Sequence, residues 1–445
     1  MKKKLLLPGF CICIFFASLD VVAQNNAAVK RLKPEPPGWY AGDIHVHLNC
    51  GTGTILLPED TLAHMMEPND LAVISLLADM GNGEVTDSKR DLPKVNGKDA
   101  PQSVPGRIIH WDTEWHWDAT YSNFSNQALG GHLVLLGLNN AHQVWEESPY
   151  KILEWGKKQN AVSGFAHMEY LNDSIQNELN CCIPVDFPVE AALGTIDFVS
   201  EDVYGKISGN NGNYFSEGVV NAYYKLLNCG FRLGIAAGTD YPCNNNEPLG
   251  TLLTYVYVKD KLTYQKWIDG IRAGRTVVSR NGHNEFLSMK VNGKYIPGDE
   301  IQLKNKGNVK VQVTWTATQP LTGSIELVSN GKVIATKSGS AKPGEAVIFN
   351  TTATITKSSW LCARRMDEQG HETHTAPVYI SVNKMPIRAS AADAKFFIAW
   401  IDNILQNIKA GGKWNKFFPN DLTTITARYI KAKNMYEQIL KESAE

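Results

Sequence analysis

The chain carries no surplus of either charge: 44 Lys and Arg stand against 45 Asp and Glu, a net charge of −1 at pH 7. Without a basic field nothing holds a nucleic-acid backbone by counterion release, so no nucleic-acid partner is expected. Cysteine is sparse, 8 in 445 residues, and no two have the C-x-x-C spacing of a thiolate metal site or a redox pair. The G-x-S-x-G signature of a serine nucleophile is missing, and so is a glycine-rich phosphate loop. Past the extreme amino terminus no apolar run reaches bilayer-spanning length, so no membrane anchor is expected.

What remains is ordinary globular material, 43% hydrophobic and 20% charged, with length for about three domains at roughly 150 residues each. Residues 1–23 read as a cleavable signal peptide. Lys2, Lys3 and Lys4 open it, Leu5 to Leu19 is largely apolar, and Val21-Val22-Ala23 precedes cleavage before Gln24. Cys11 and Cys13 lie inside the apolar stretch, upstream of where a lipid-accepting cysteine would sit, so a soluble periplasmic or secreted protein is expected. Six cysteines then remain, Cys50, Cys181, Cys182, Cys229, Cys243 and Cys362, which allow one or two disulfides in an oxidising compartment.

From Trp39 to Asp240 the chain repeats a short apolar run, a polar or glycine-rich loop and a helix-like stretch. The runs are 41–47, 71–79, 107–114, 132–138, 162–167, 196–201 and 233–240. Crossover-length spacers between them predict parallel strands joined by helices, hence an α/β barrel or open α/β sheet over residues 24–280. Residues 281–385 alternate apolar and polar positions between Asn292-Gly293, Asn330-Gly331 and Pro343-Gly344, which predicts an antiparallel β-sandwich. In 386–445 the spacing changes to three and four, through Phe397, Trp400, Ile401 and Ile404, then Ile425, Tyr429 and Ile439, which predicts a helical hairpin.

Metal-ligating residue types recur at the ends of the apolar runs. His45 and His47 close the first; two residues apart in a strand, they project from one face, as a shared cation requires. Asp79 ends the second run, Glu114 the third, His167 the fifth and Asp240 the seventh. In parallel α/β sheets these ends converge on one rim, where sites are built. His132 is out of place, at the start of the fourth run.

The segments GDIHVH (42–47), WDTEW (111–115), GGHLVLLGL (130–138), GFAHME (164–169) and AAGTD (236–240), with the strand ending at Asp79, resemble the PHP (polymerase and histidinol phosphatase) metallohydrolases. The match is closest to their carbaryl-hydrolase-like CehA/McbA branch, whose run-out is also similar to GRTVVSRNG (274–282) and FLSMKVNG. The resemblance implies a distorted seven-stranded β/α barrel with divalent metals at its rim. By that likeness His45, His47, Glu114 and Asp240 would hold one ion, and His132 and His167 a second that shares Glu114. Three further histidines common in the family are replaced here by Met80, by Tyr241-Pro242 after Asp240 and by the stretch containing Gly51, Thr52 and Gly53, so two ions are expected, of zinc, manganese or iron.

Two bridged cations imply hydrolysis by activated water, with Glu114 bridging, Asp240 orienting or deprotonating the water, and Asp79 or Tyr241 serving the leaving group. No Arg or Lys occurs in 110–121 or 236–250, whereas Trp111, Trp115, Trp117, Tyr121 and Tyr241 cluster there. A small aromatic or sugar-like ester or carbamate is therefore the expected substrate. Phosphoester hydrolysis at the same site is the alternative, and an inactive, secreted carbohydrate-binding protein is a third reading. Amino-terminal sequencing of the exported protein is expected to begin near Gln24; Met1 recovered from cytoplasmic material would overturn the export expectation.

Overall fold

The computed structural model describes residues 32–49, 57–81, 88–115, 131–144, 148–168, 174–175, 185–200, 214–243, 248–368, 370–415 and 422–443. The expected signal peptide, Cys50, Cys181 and Cys182, Trp117 and Tyr121 lie outside these residues. The apolar runs form β1 (Trp39–Val46), β2 (Val73–Asp79), β3 (Ile108–Trp115), β4 (His132–Leu136), β5 (Val162–Ala166), β6 (Phe198–Ser200) and β7 (Gly234–Ala236). They are followed by β8 (Leu253–Tyr257) and β9 (Thr276–Ser279). Between them lie α1 (Glu59–Met66), α2 (Ser88–Asp91), α3 (Pro149–Lys158), α4 (Phe187–Leu193), α5 (Tyr214–Asn228) and α6 (Tyr264–Arg272).

These strands do not form the expected seven-stranded β/α barrel. Two runs of parallel pairing, β1-β2-β3 and β5-β6-β7, are separated by β4, which is antiparallel to both of its neighbours. The other edge of β1 is taken by β8, antiparallel, with Trp39 to Gly42 opposite Tyr257 to Thr254. An edge already carrying a ladder cannot also accept β7 to complete a ring. The sheet curls instead, and the chain beyond β7 meets β1 through the bridge Val46–Tyr241, where His47 N donates to Tyr241 O at 2.6 Å.

The second half extends this sheet. Its strands are β10 (Glu285–Val291), β11 (Glu300–Leu303), β12 (Gly307–Ala317), β13 (Leu321–Ser329), β14 (Lys332–Ala341), β15 (Val347–Ile355), β16 (Ser359–Asp367), β17 (Gly370–Thr375) and β18 (Val378–Val382). Pairing of β17 with β9 makes one 15-stranded mixed sheet, whose main path runs β11-β18-β16-β17-β9-β8-β1-β2-β3-β4-β5-β6-β7. A separate β-sandwich is thus replaced by a three-stranded antiparallel layer, β10-β12-β15, packed on the extension of the large sheet. Val311, Val313 and Trp315 of that layer share one buried cluster with Leu327, Leu361 and Ile380. The C-terminal helical pair is present as α7 (Ala391–Ile408) and α8 (Leu422–Ser443). It docks on α4: Trp400 Nε1 donates to Val185 O at 2.7 Å, and Arg428 reaches Glu190 at 2.6 Å.

Every residue of β2, β3, β4 and β5 is buried, because both faces of the curled sheet are covered. In β2, Val73 and Leu77 point toward a cluster built on Tyr264, Trp267 and Ile268 of α6, while Ile74, Leu76 and Ala78 join the cluster that contains Leu62 and Met66 of α1. This two-sided burial is why these strands read as unbroken apolar runs rather than as alternating ones.

The two sheets are tied by a buried ion pair between Arg365 of β16 and Glu285 of β10. Glu285 also accepts from Trp315 Nε1 at 2.8 Å and Asn281 Nδ2 at 3.1 Å, so its charge is fully hydrogen-bonded. Removing one partner strands the other charge in the core. Arg365→Met is expected to cost about 3–5 kcal/mol in chemical denaturation, and adding Glu285→Leu to it should restore part of that loss.

Candidate metal centre

β1 ends in Asp43-Ile44-His45-Val46-His47, and its pairing with β2 shifts register between Asp43 and Val46. Both imidazoles point inward, with Nε2 atoms 3.2 Å apart. His47 Nδ1 lies 3.1 Å from Leu77 O, a contact that turns its Nε2 toward the centre. Glu114 enters from β3, in register with Asp79 of β2. His132 comes from the start of β4, opposite Ala166, next to His167. Because β4 is antiparallel, its beginning lies at the rim where β3 and β5 end, which accounts for the ligand that a parallel reading misplaced.

The four imidazoles converge on Glu114. Oε2 lies 3.3 Å from His45 Nε2 and 3.1 Å from His47 Nε2. Oε1 lies 2.9 Å from His132 Nδ1 and 3.6 Å from His167 Nε2. One carboxylate thus divides four imidazoles into two pairs. Asp240 spans the same division, with Oδ1 3.3 Å from both His45 and His47 and Oδ2 3.9 Å from His167. The atoms of His45, His47 and Asp240, and those of His45, Glu114 and His167, are each close enough together to hold a cation. Asp79 belongs to neither group; its Oδ1 accepts from Gly81 N at 2.6 Å. Borderline nitrogen and carboxylate donors, buried and facing one another, are a donor set of the kind divalent ions take, and the two groups have His45 in common.

Electrostatics follow from this crowding. Burial pushes the Glu114 carboxyl up, but His45, His132 and His167 hold it well below the usual range. Asp240 is likewise raised by burial and lowered more by His45, His47 and His167. Burial works against a charge on His47, yet its bonds to Asp240 and Glu114 push it up to about 9. For His132 burial wins, and its value falls.

Sequence reasoning missed the residues that hold these ligands in place. Asp43 Oδ1 accepts from His45 N at 3.0 Å and Thr239 N at 3.1 Å, while Thr239 Oγ1 donates to Asp43 Oδ2 at 2.5 Å. Asp43 therefore clamps β1 to the loop carrying Asp240; burial raises its carboxyl to about 7 despite those bonds. Its signal in the sequence was a carboxylate two residues before His45, hence on the same strand face. His167 and Asp240 occupy the left-handed region, at φ 54° and 52°. Such a backbone costs about 1–3 kcal/mol for a non-glycine residue and persists only where neighbours enforce it. Of the aromatic residues near Glu114 that are described, Trp115 is fully buried with Nε1 donating to Val144 O, and Trp111 is buried with Lys94 over its ring.

No family model and no curated protein matches the chain. Among solved structures, the CARDB domain of a Pyrococcus furiosus protein is similar over 22% of this chain and 97% of that one, at 14% identity and a TM-score of 0.17. A crystal structure of that domain in complex with di-metal ions has the same identity and TM-score and is covered to 96%. An engineered protein covers 44% of each chain at 12% identity and a TM-score of 0.15. Likeness at this level assigns neither fold nor site.

Gly238 is where the centre tolerates no side chain. A Cβ there would lie 2.5 Å from His45 Cβ and 2.8 Å from His45 N. Gly238→Ala is expected to cost about 1–3 kcal/mol in denaturation. It should also weaken zinc binding about tenfold or more in equilibrium titration, because it displaces the strand that carries His45.

Proposed function

We propose that the protein is a metal-dependent hydrolase with a dinuclear centre, acting on an ester or carbamate bond of a small substrate. The observation that carries this reading is the division of the four histidines by the two oxygens of Glu114, an arrangement suited to a bridging ligand. The resemblance to PHP metallohydrolases of the CehA/McbA branch supports it. His45, His47, Glu114 and Asp240 would hold one cation, and Glu114, His132 and His167 the other. When bound, zinc, manganese or iron would supply Lewis acidity and bring the pKa of water toward neutrality.

The chain's own groups set the rest of the chemistry. Asp240 has the more exposed side chain of the two central carboxylates, 10% against 3% for Glu114, so it is the one assigned to the incoming water. Held ionised by its histidine neighbours, it would orient the attacking water by accepting a hydrogen bond from it. Asp79 stands one strand away from Glu114 with one oxygen committed to Gly81 N, and its place at the rim suits a positioning role toward the leaving group. Substrate class rests on the lack of Arg or Lys in 110–121 and 236–250, since phosphate recognition ordinarily recruits such donors beside the metals.

Nitrophenyl acetate, a naphthyl carbamate, nitrophenyl phosphate and its diester should be compared under identical metal supply. A higher kcat/KM for the acetate or carbamate is expected; a higher value for either phosphate would reassign the site to phosphoester cleavage. Glu114→Gln should lower kcat/KM by about 100-fold or more, and at least as much as His167→Ala, because each of its two oxygens serves one histidine pair. Retention of most activity in Glu114→Gln would refute the bridging role.

A further inference from the structure

A second set of ligand-type side chains lies away from the centre. Glu35, Asp70 and His283 bring one donor atom each within 4.8 Å of one another. Glu35 sits in the segment entering β1, Asp70 in the loop between α1 and β2, and His283 in the turn between β9 and β10. The site therefore joins three stretches of chain that share no strand ladder.

The carboxylate of Glu35 carries the argument. Its side chain is 5% exposed, and Oε2 has no hydrogen-bond partner; the same holds for Nε2 of the buried His283. The contacts around them are long: His283 Nδ1 to Glu35 Oε2 is 3.8 Å, and Lys33 Nζ to Glu35 Oε1 is 3.7 Å. Tyr255 OH lies 3.1 Å from His283 Nδ1. A buried carboxylate oxygen without a donor is costly, and a cation removes that cost. Lys33 supplies one only in part. It bonds Asp70 at 2.9 Å, stands off Glu35, and its side chain is 55% exposed, so it is free to move aside.

We propose that Glu35, Asp70 and His283 bind a divalent transition-metal ion that fastens the segment entering β1 to the loops before β2 and after β9. One imidazole and two carboxylates form a donor set that zinc accepts, with water completing the shell. A cavity of about 260 Å³ lined by Lys33, Glu35, Asp70 and Arg107 provides the entry path. The site is separate from the histidine centre and does not depend on the hydrolase reading.

Zinc is the probe. The full chain and its Glu35→Gln and Asp70→Asn variants are equilibrated with buffered zinc and their bound metal is counted by elemental analysis. The parent should hold one ion more than either variant; equal counts overturn the proposal. Lys33→Ala changes an exposed side chain and removes a competing ammonium. In that variant the last zinc to bind should do so at about two- to fivefold lower free concentration, the range of an exposed ion pair. Unchanged or weaker binding would show that the three residues form only an ion-pair cluster around Lys33, and would overturn the proposal even if Glu35→Gln failed to fold.

Discussion

Everything at the rim is arranged around one buried carboxylate. Glu114 has given up water on all sides, and what keeps it ionised is the set of four imidazoles within hydrogen-bonding or ion-pair reach. A charge so placed is costly alone and strongly stabilised when its partners are correctly oriented. Each partner therefore needs its own support: Leu77 O turns His47, Asp43 fixes the backbone of His45, and left-handed backbone aims His167 and Asp240. The electrostatics of the centre and the local strain of its loops are two sides of the same constraint.

Sheet topology is the means by which this constraint is met. The antiparallel insertion of β4 brings a ligand from the start of a strand to the same rim as ligands from the ends of β3 and β5. On the other side, occupation of β1 by β8 keeps the sheet open and lets it run on through β9 and β17 into the second half. The β10-β12-β15 layer is then secured to that extension by Glu285 and Arg365, a pair whose hydrogen bonds are satisfied on both sides. The far half is thus continuous with the scaffold of the centre rather than an appended module.

The residues that converge at the rim were legible in the sequence because their chemistry is rare at the ends of buried strands. The pattern His45-Val-His47, Glu114 in an apolar run and Asp240 after Gly238-Thr239 needed only period-two geometry to be seen. Strand direction was not legible. A strand buried on both faces has the same composition whether its neighbours run with it or against it, so His132 looked misplaced and a closed barrel looked natural. Pairing across long separations, such as β9 with β17, also leaves no local trace, which is why the second half read as an independent sandwich. Trp111 and Trp115 were ambiguous for a simpler reason: a ring beside a site and a ring beneath it differ only in which strand face they occupy.

The bridge between Val46 and Tyr241 has a consequence for the order of events during folding. His45 and His47 are near the beginning of the described chain, whereas Asp240 arrives only after β2 through β7 have been laid down. Contacts of such sequence separation form late, since the loop between them must first be ordered. A chain truncated before Asp240 would present two adjacent imidazoles without the carboxylate that faces them. The rim residues could then be gathered only once the sheet had curled far enough to bring the chain beyond β7 back to β1.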